Sequence, residues 1–405
     1  MTPHPLATRG SPAGVPGINA AGACPCCGRA DMQVFHSLDA VPTNSCLLLG
    51  TRDEARGCRR GNIRLGFCAA CGFISNTAFV PTLTEYSGRY EETQGFSPTF
   101  QAFHVELARS LVERHQLRDK DVLEIGCGKG EFLALLCEAG GNRGLGFDPG
   151  YCAARGPRAD GASYRVRQEL FSEQHTDHRA DFVCCKMTLE HIHQPLAFLR
   201  AATQVVRRPH GTLFLQVPEA LRIVRDCAFE DIYYEHCAYF TAASLTRLLA
   251  SLGFETMHTE VTYGGQYLTV EARPATAATP PPADLRELTA AIASFPARFA
   301  ELARSWAERL LRWQVQGKRV LLWGSGSKAV SFLTTLPHTD TVSHVVDINP
   351  YRRHHFMPGT GQPIVGPQDL PALRPDVVIV MNRIYGREIG AELERLGLHP
   401  EVLAL

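Results

Sequence analysis

From Asp121 onward, short apolar runs alternate with stretches of helical period. DVLEIG, RGLGFD, SYRVR, ADFVCCKM, GTLFLQVP, FETMHTE and QYLTVEAR have the length and the β-branched or aromatic content of strands. Between most of them lie EFLALLCEAG, PLAFLRAATQVV and AASLTRLLASLG, whose apolar residues recur three and four apart, the period of a helix with one buried face. This order predicts an α/β fold with a parallel, doubly wound sheet, its last two strands joined as a hairpin at Gly264-Gly265. A helix is expected ahead of the sheet over FSPTFQAFHVELARSLVERHQL. Behind it, RPATAATPPPAD cannot hold a regular element and reads as a linker. A long helical stretch, LRELTAAIASFPARFAELARSWAERLLRWQVQ, then leads into a smaller α/β unit with strands RVLLWG, HVVDIN and DVVIVMN.

The expected boundaries are a tail over residues 1–21, a cysteine-rich module over 22–80, a sheet domain over 81–273, a linker over 274–284 and a terminal α/β domain over 285–405. Composition adds exclusions. The 41 Lys and Arg balance the 41 Asp and Glu, so no overall field attracts a polyanion, and nucleic acid is not expected as a partner. No apolar run approaches the ~20 residues of a membrane span, and the first residues lack the apolar core of a secretory signal, so a cytoplasmic protein without a membrane partner is expected. The 14 cysteines are then thiols or metal ligands rather than disulfides.

Four of them have metal spacing. Cys24-Pro-Cys-Cys27 and Cys68-Ala-Ala-Cys71, each followed by glycine, form two knuckles that together offer four thiolates for a tetrahedral structural Zn2+. Cys26 makes the first knuckle ambiguous.

Two glycine turns carry the remaining signal. The first, GCGKGEF, follows DVLEIG, and Asp148 ends the next strand. Gly126, Gly128 and Gly130 permit close backbone approach, and an acid at that position suits a ribose diol, so a nucleotide is expected, dinucleotides included. With Glu124 ahead of it, the run resembles motif I of the class I S-adenosylmethionine (SAM) methyltransferases. The resemblance implies SAM as cofactor, held by Glu124, Gly126, Cys127, Gly128, Gly130 and Asp148, with adenine near Gln168 to Leu170. The second turn, Gly324-Ser-Gly-Ser-Lys-Ala329, precedes Asp347 and invites a weaker dinucleotide reading.

Between these turns, DIYYEHCAYF sets two tyrosines, a glutamate and a histidine side by side, ahead of a helix with Thr241 as its N-cap. The bland reading is core filling with a solvated Glu-His pair. A cysteine-knuckle module, a motif I core, Tyr-x-Glu-His, and a terminal unit with WGSGSK, DINP and MPGT together resemble the sugar C-methyltransferases that act on nucleotide-linked keto-deoxysugars. The resemblance implies catalytic roles for Tyr233, Glu235, His236, His191 and, of Tyr86 and Tyr90, Tyr90. It also implies a nucleotide-sugar partner touched by Ser325, Ser327 and Lys328. His236 is the expected base, with Glu235 orienting it. Methylation of oxygen or nitrogen by the same residues, or a nucleic-acid-binding protein with an inactive core, remain as alternatives.

Overall fold

The computed structural model describes residues 20–30, 32–157, 163–275 and 284–405. Nearly all of the expected tail and most of the expected linker lie outside these residues.

Three sheets organise the chain. The central one has seven strands in the order Phe254–Thr262, Tyr267–Pro274, Thr212–Pro218, Phe182–Lys186, Asp121–Ile125, Arg143–Phe147 and Tyr164–Arg167. Five run parallel, and the final hairpin is antiparallel, as the Gly264-Gly265 turn requires. Successive residues of Asp121–Ile125 face opposite ways, and both faces are covered. Val122 packs with Phe132, Leu133, Leu136 and the Pro98–Arg114 helix; Leu123 packs with Phe147, Val183, Leu213 and the Ala242–Ser251 helix. Thr241 caps that last helix by accepting from the Ser244 amide, as its position suggested. A doubly wound sheet leaves its carboxyl edge free for ligands.

The N-terminal sheet is antiparallel, with strands Met32–Pro42, Arg60–Phe67 and Ile74–Asn76 at its centre. Its last strand, Ala238–Tyr239, comes from far along the chain and pairs with Ile74 and Ser75. Thus the end of DIYYEHCAYF leaves the central domain and completes the N-terminal sheet, which fixes the residues before it. The terminal domain holds five parallel strands in the order Ile364–Val365, Val342–Val346, Val320–Trp323, Val377–Val380 and Glu401–Ala404.

One helix, Arg286–Val315, staples the outer domains together, its 30 residues spanning about 45 Å. Its first half packs Leu288, Ile292 and Phe295 against Ile63, Phe67 and Ile223; its second half packs Trp306, Leu310 and Trp313 against Leu322 and Phe332. Among the described residues no helix is long and apolar enough to cross a membrane.

Candidate active site

The cysteine knuckles fold alike. The Gly28 amide donates to the Cys24 carbonyl and the Gly72 amide to Cys68, both at 2.8 Å, with Gly28 and Gly72 in the left-handed region at φ 73° and 79°. The turns bring Cys24 to 3.7 Å from Cys71 and Cys27 to 3.6 Å from Cys68, and one sulfur from each of the four lies within 4.8 Å of the others. Metal–sulfur bonds of about 2.3 Å at tetrahedral angles place sulfurs about 3.8 Å apart, so the donor set fits such an ion. Cys26 is buried beside the cluster and is not one of the four.

At the carboxyl edge of the central sheet lies a cavity of about 600 Å³, and both glycine turns open into it. Gly126, Gly128 and Gly130 all have positive φ, and a Cβ on Gly126 would meet Thr188 Oγ1 at 2.0 Å, so the loop tolerates no side chain there. Asp148 holds the loop closed: its carboxylate accepts from Gly128 N at 2.8 Å and Gly150 N at 2.7 Å. Glu124 is buried beneath, with one carboxylate oxygen unpartnered among the described residues, and burial pushes its carboxyl up to about 7. Cys127 lines the cavity as a neutral thiol, raised by the same burial. Leu170 and Phe171 also line it. Lys129, which the sequence did not single out, seals the loop by donating to the carbonyls of Tyr90 and Gly150 at 3.0 Å.

DIYYEHCAYF divides between the two readings. Tyr234 is core filling: it is 1% exposed, and its hydroxyl accepts from Val80 N at 2.9 Å. Tyr233 and His236 face the cavity, with the phenol 2.5 Å from Nε2 of the imidazole. Burial, with His191 beside it, holds His236 well below the ordinary histidine range, so its imidazole is neutral at neutral pH. The His191 ring lies 5.0 Å away, and burial takes it down to about 4. His193 is exposed.

Glu235 does not meet the expectation that it orients His236. Its carboxylate instead accepts from Ser45 N at 2.8 Å and Asn44 Nδ2 at 3.2 Å, from the Ser45 hydroxyl, and from Tyr90. Only its carbonyl serves the histidines, lying 3.1 Å from His191 Nδ1. The carboxyl nearest His236 is Glu190, with Oε1 4.0 Å from Nε2. Tyr86 and Tyr90 both line the cavity, and the hydroxyl of Tyr86 meets His191 at 3.1 Å. The cause is tertiary: the segment from Asn44 to Glu92 lies across the site, bringing Ser45 to residues almost 200 positions away. No sequence signal marked Asn44 or Ser45, whereas Glu190 stands beside His191 in the chain.

In the terminal domain, Ser325 is fully buried and binds Asp347 through both its amide and its hydroxyl. Ser327 meets Ser45 at 2.7 Å, and Lys328 pairs with Asp231 at 2.6 Å. Ser327 and Lys328 line the cavity, while Ser325 stands behind it. Arg352 also lines it. Its guanidinium donates to the Ser325 carbonyl at 2.8 Å and to the Glu91 carbonyl.

Residues 100–259 match the description "Methyltransferase domain" and residues 283–397 "C-methyltransferase C-terminal domain". The C-methyltransferase NovU of Streptomyces niveus is 26% identical over 388 residues, covering 90% of each chain. A ubiquinone biosynthesis O-methyltransferase of Yersinia pestis (strain Pestoides F) is 30% identical over 136 residues, 32% of this chain and 55% of that protein. Among solved structures, a 1,6-didemethyltoxoflavin-N1-methyltransferase of Burkholderia thailandensis superposes with TM-score 0.35 and 23% identity, over 42% of this chain and 78% of that one. The chain belongs to the C-methyltransferases that join a methyltransferase domain to a C-methyltransferase C-terminal domain.

Proposed function

We propose that the protein methylates a carbon of a nucleotide-linked keto-deoxysugar, using SAM, through an enolate. The observation that carries this reading is the single cavity onto which both glycine turns open, with Tyr233, His236 and His191 among its lining residues. The first turn, with Asp148 and Glu124, suits the nucleoside and methionine portions of SAM, which supplies an electrophilic methyl group. The wall that the terminal domain gives the cavity, with Ser327 and Arg352, suits the nucleotide-sugar.

A sugar carbon becomes nucleophilic only when a proton beside the ketone is removed. A buried, neutral His236 can accept that proton without first losing one of its own. The Tyr233 hydroxyl rests on His236 Nε2, so an incoming ketone oxygen would draw this hydroxyl to itself and free the nitrogen. The C–H electron pair passes to the enolate, whose carbon would take the methyl group as its bond to sulfur breaks and S-adenosylhomocysteine leaves, and His236 returns its proton to solvent. The four-thiolate cluster is read as a structural Zn2+ site that fixes the N-terminal sheet; metal analysis should give one zinc per chain.

The test is solvent-deuterium exchange at the α carbon of a thymidine diphosphate-linked keto-deoxyhexose, without SAM. The wild type should exchange. His236→Ala should keep SAM affinity but lose exchange and methyl transfer by at least about 100-fold. A wild type that methylates without exchanging would be an O- or N-methyltransferase.

A further inference from the structure

We propose that Glu190 is the positioning carboxylate of His236, the group whose charge stabilises the imidazolium formed when His236 takes the α proton. This rests on the enolate reading above and replaces Glu235 in a role the sequence had suggested for it.

Glu190 is the middle residue of a short helical turn, Leu189–His191, that follows the strand Phe182–Lys186 after two intervening residues, so it sits at the carboxyl edge of the sheet. It is 1% exposed, lines the cavity, and among the described residues neither carboxylate oxygen has a hydrogen-bond partner. An unpartnered buried carboxyl costs roughly 1–3 kcal/mol or more in an ordinary core, so its retention points to a use. Oε1 stands 4.0 Å from His236 Nε2, the nitrogen that also meets Tyr233. Glu235, by contrast, is saturated by Asn44, Ser45 and Tyr90 and has no capacity left for an imidazolium.

The surroundings define when Glu190 is charged. Burial raises its carboxyl to about 8, and Lys186 opposes that shift. Two other acids share the cavity: Asp231, whose carboxyl Lys328 and Arg222 pull down to about 2 against burial, is charged throughout and already favours a protonated His236, and Glu124, pushed up to about 7 by burial, ionises before Glu190 does. The remaining groups near Glu190 stay neutral through this range: His191 and His236 are pushed below it, while the Cys185 and Cys237 thiols and the Tyr86, Tyr233 and Tyr267 phenols are pushed above it, all by burial. Below about 8 Glu190 therefore carries its proton and behaves as a neutral amide would. Above it, the carboxylate faces His236 and makes the imidazole a stronger base.

The proton balance is simple. The α proton moves to His236, the C–H pair becomes the enolate, and above about pH 8 the Glu190 charge, present before the transfer, compensates the new cation; no proton passes through Glu190.

The experiment measures deuterium exchange of the same keto-sugar nucleotide from pH 6.5 to 9. Wild-type exchange should climb through about pH 8. Glu190→Gln should match the wild type at pH 6.5, lack the climb, and fall roughly 10- to 100-fold behind by pH 9. Glu190→Asp should regain part of it. A Gln variant that climbs as the wild type does, or loses the same factor at every pH, would overturn the proposal. So would a stoichiometric divalent ion lost from that variant, because ligand atoms of Glu190, His191 and His236 lie within 4.8 Å of one another and would then be its ligands. A wild type that never exchanges would instead sink the enolate reading itself.

Discussion

At the first glycine turn, Gly126, Gly128 and Gly130 all sit at positive φ, and a Cβ at Gly126 would collide with Thr188. At the second, only Gly324 has positive φ; Gly326 sits at −77° and has open space where a Cβ would go. Ser325 is consumed by Asp347 and Lys328 by Asp231. The two turns follow equivalent strands and look alike in letters. The first brings bare backbone to the cavity, whereas the second spends its side chains on neighbouring protein. A glycine pattern therefore reports a backbone shape, and the atoms around it decide whether a ligand or the protein itself uses that shape.

Three substitutions probe this contrast. Gly126→Ala combines left-handed strain of about 1–3 kcal/mol with the Thr188 clash, so methyl transfer and calorimetric SAM affinity should fall at least about 100-fold; unchanged affinity would erase the distinction. Lys328→Ala leaves Asp231 with Arg222 as its remaining cation and should lower stability to denaturant by about 1.5–3 kcal/mol, with SAM affinity untouched. Should it instead raise KM for the nucleotide-sugar and leave stability alone, Lys328 would be a phosphate contact after all. Gly326→Ala should be the mildest, within about 0.5 kcal/mol in thermal unfolding, because nothing lies within 4 Å of the added carbon.

The candidate site was legible where chemistry is local in sequence. Glu124, the three glycines and Asp148 occupy one loop and the two strands that flank it, and pairing those strands suffices to assemble them. The four cysteines were legible because each knuckle is a local turn. The partners of Glu235 were not. Asn44 and Ser45 stand 190 or so positions before it, and no periodicity or spacing connects them. Nor did the letters separate Tyr233 from Tyr234, adjacent phenols of which one reaches His236 and the other the core.

Hydrophobic period and turn chemistry act over a few residues, and they alone dictated the strands, the helices, their doubly wound order and the presence of a glycine turn after each of two strands. Which carboxylate meets His236, which tyrosine meets His191 and whether a serine or lysine faces a ligand were settled only when the N-terminal sheet took Ala238–Tyr239 as its last strand and the long helix clamped the outer domains together. Those are choices among side chains of equal local propensity. They depend on distances between segments far apart in the chain, and packing sets such distances.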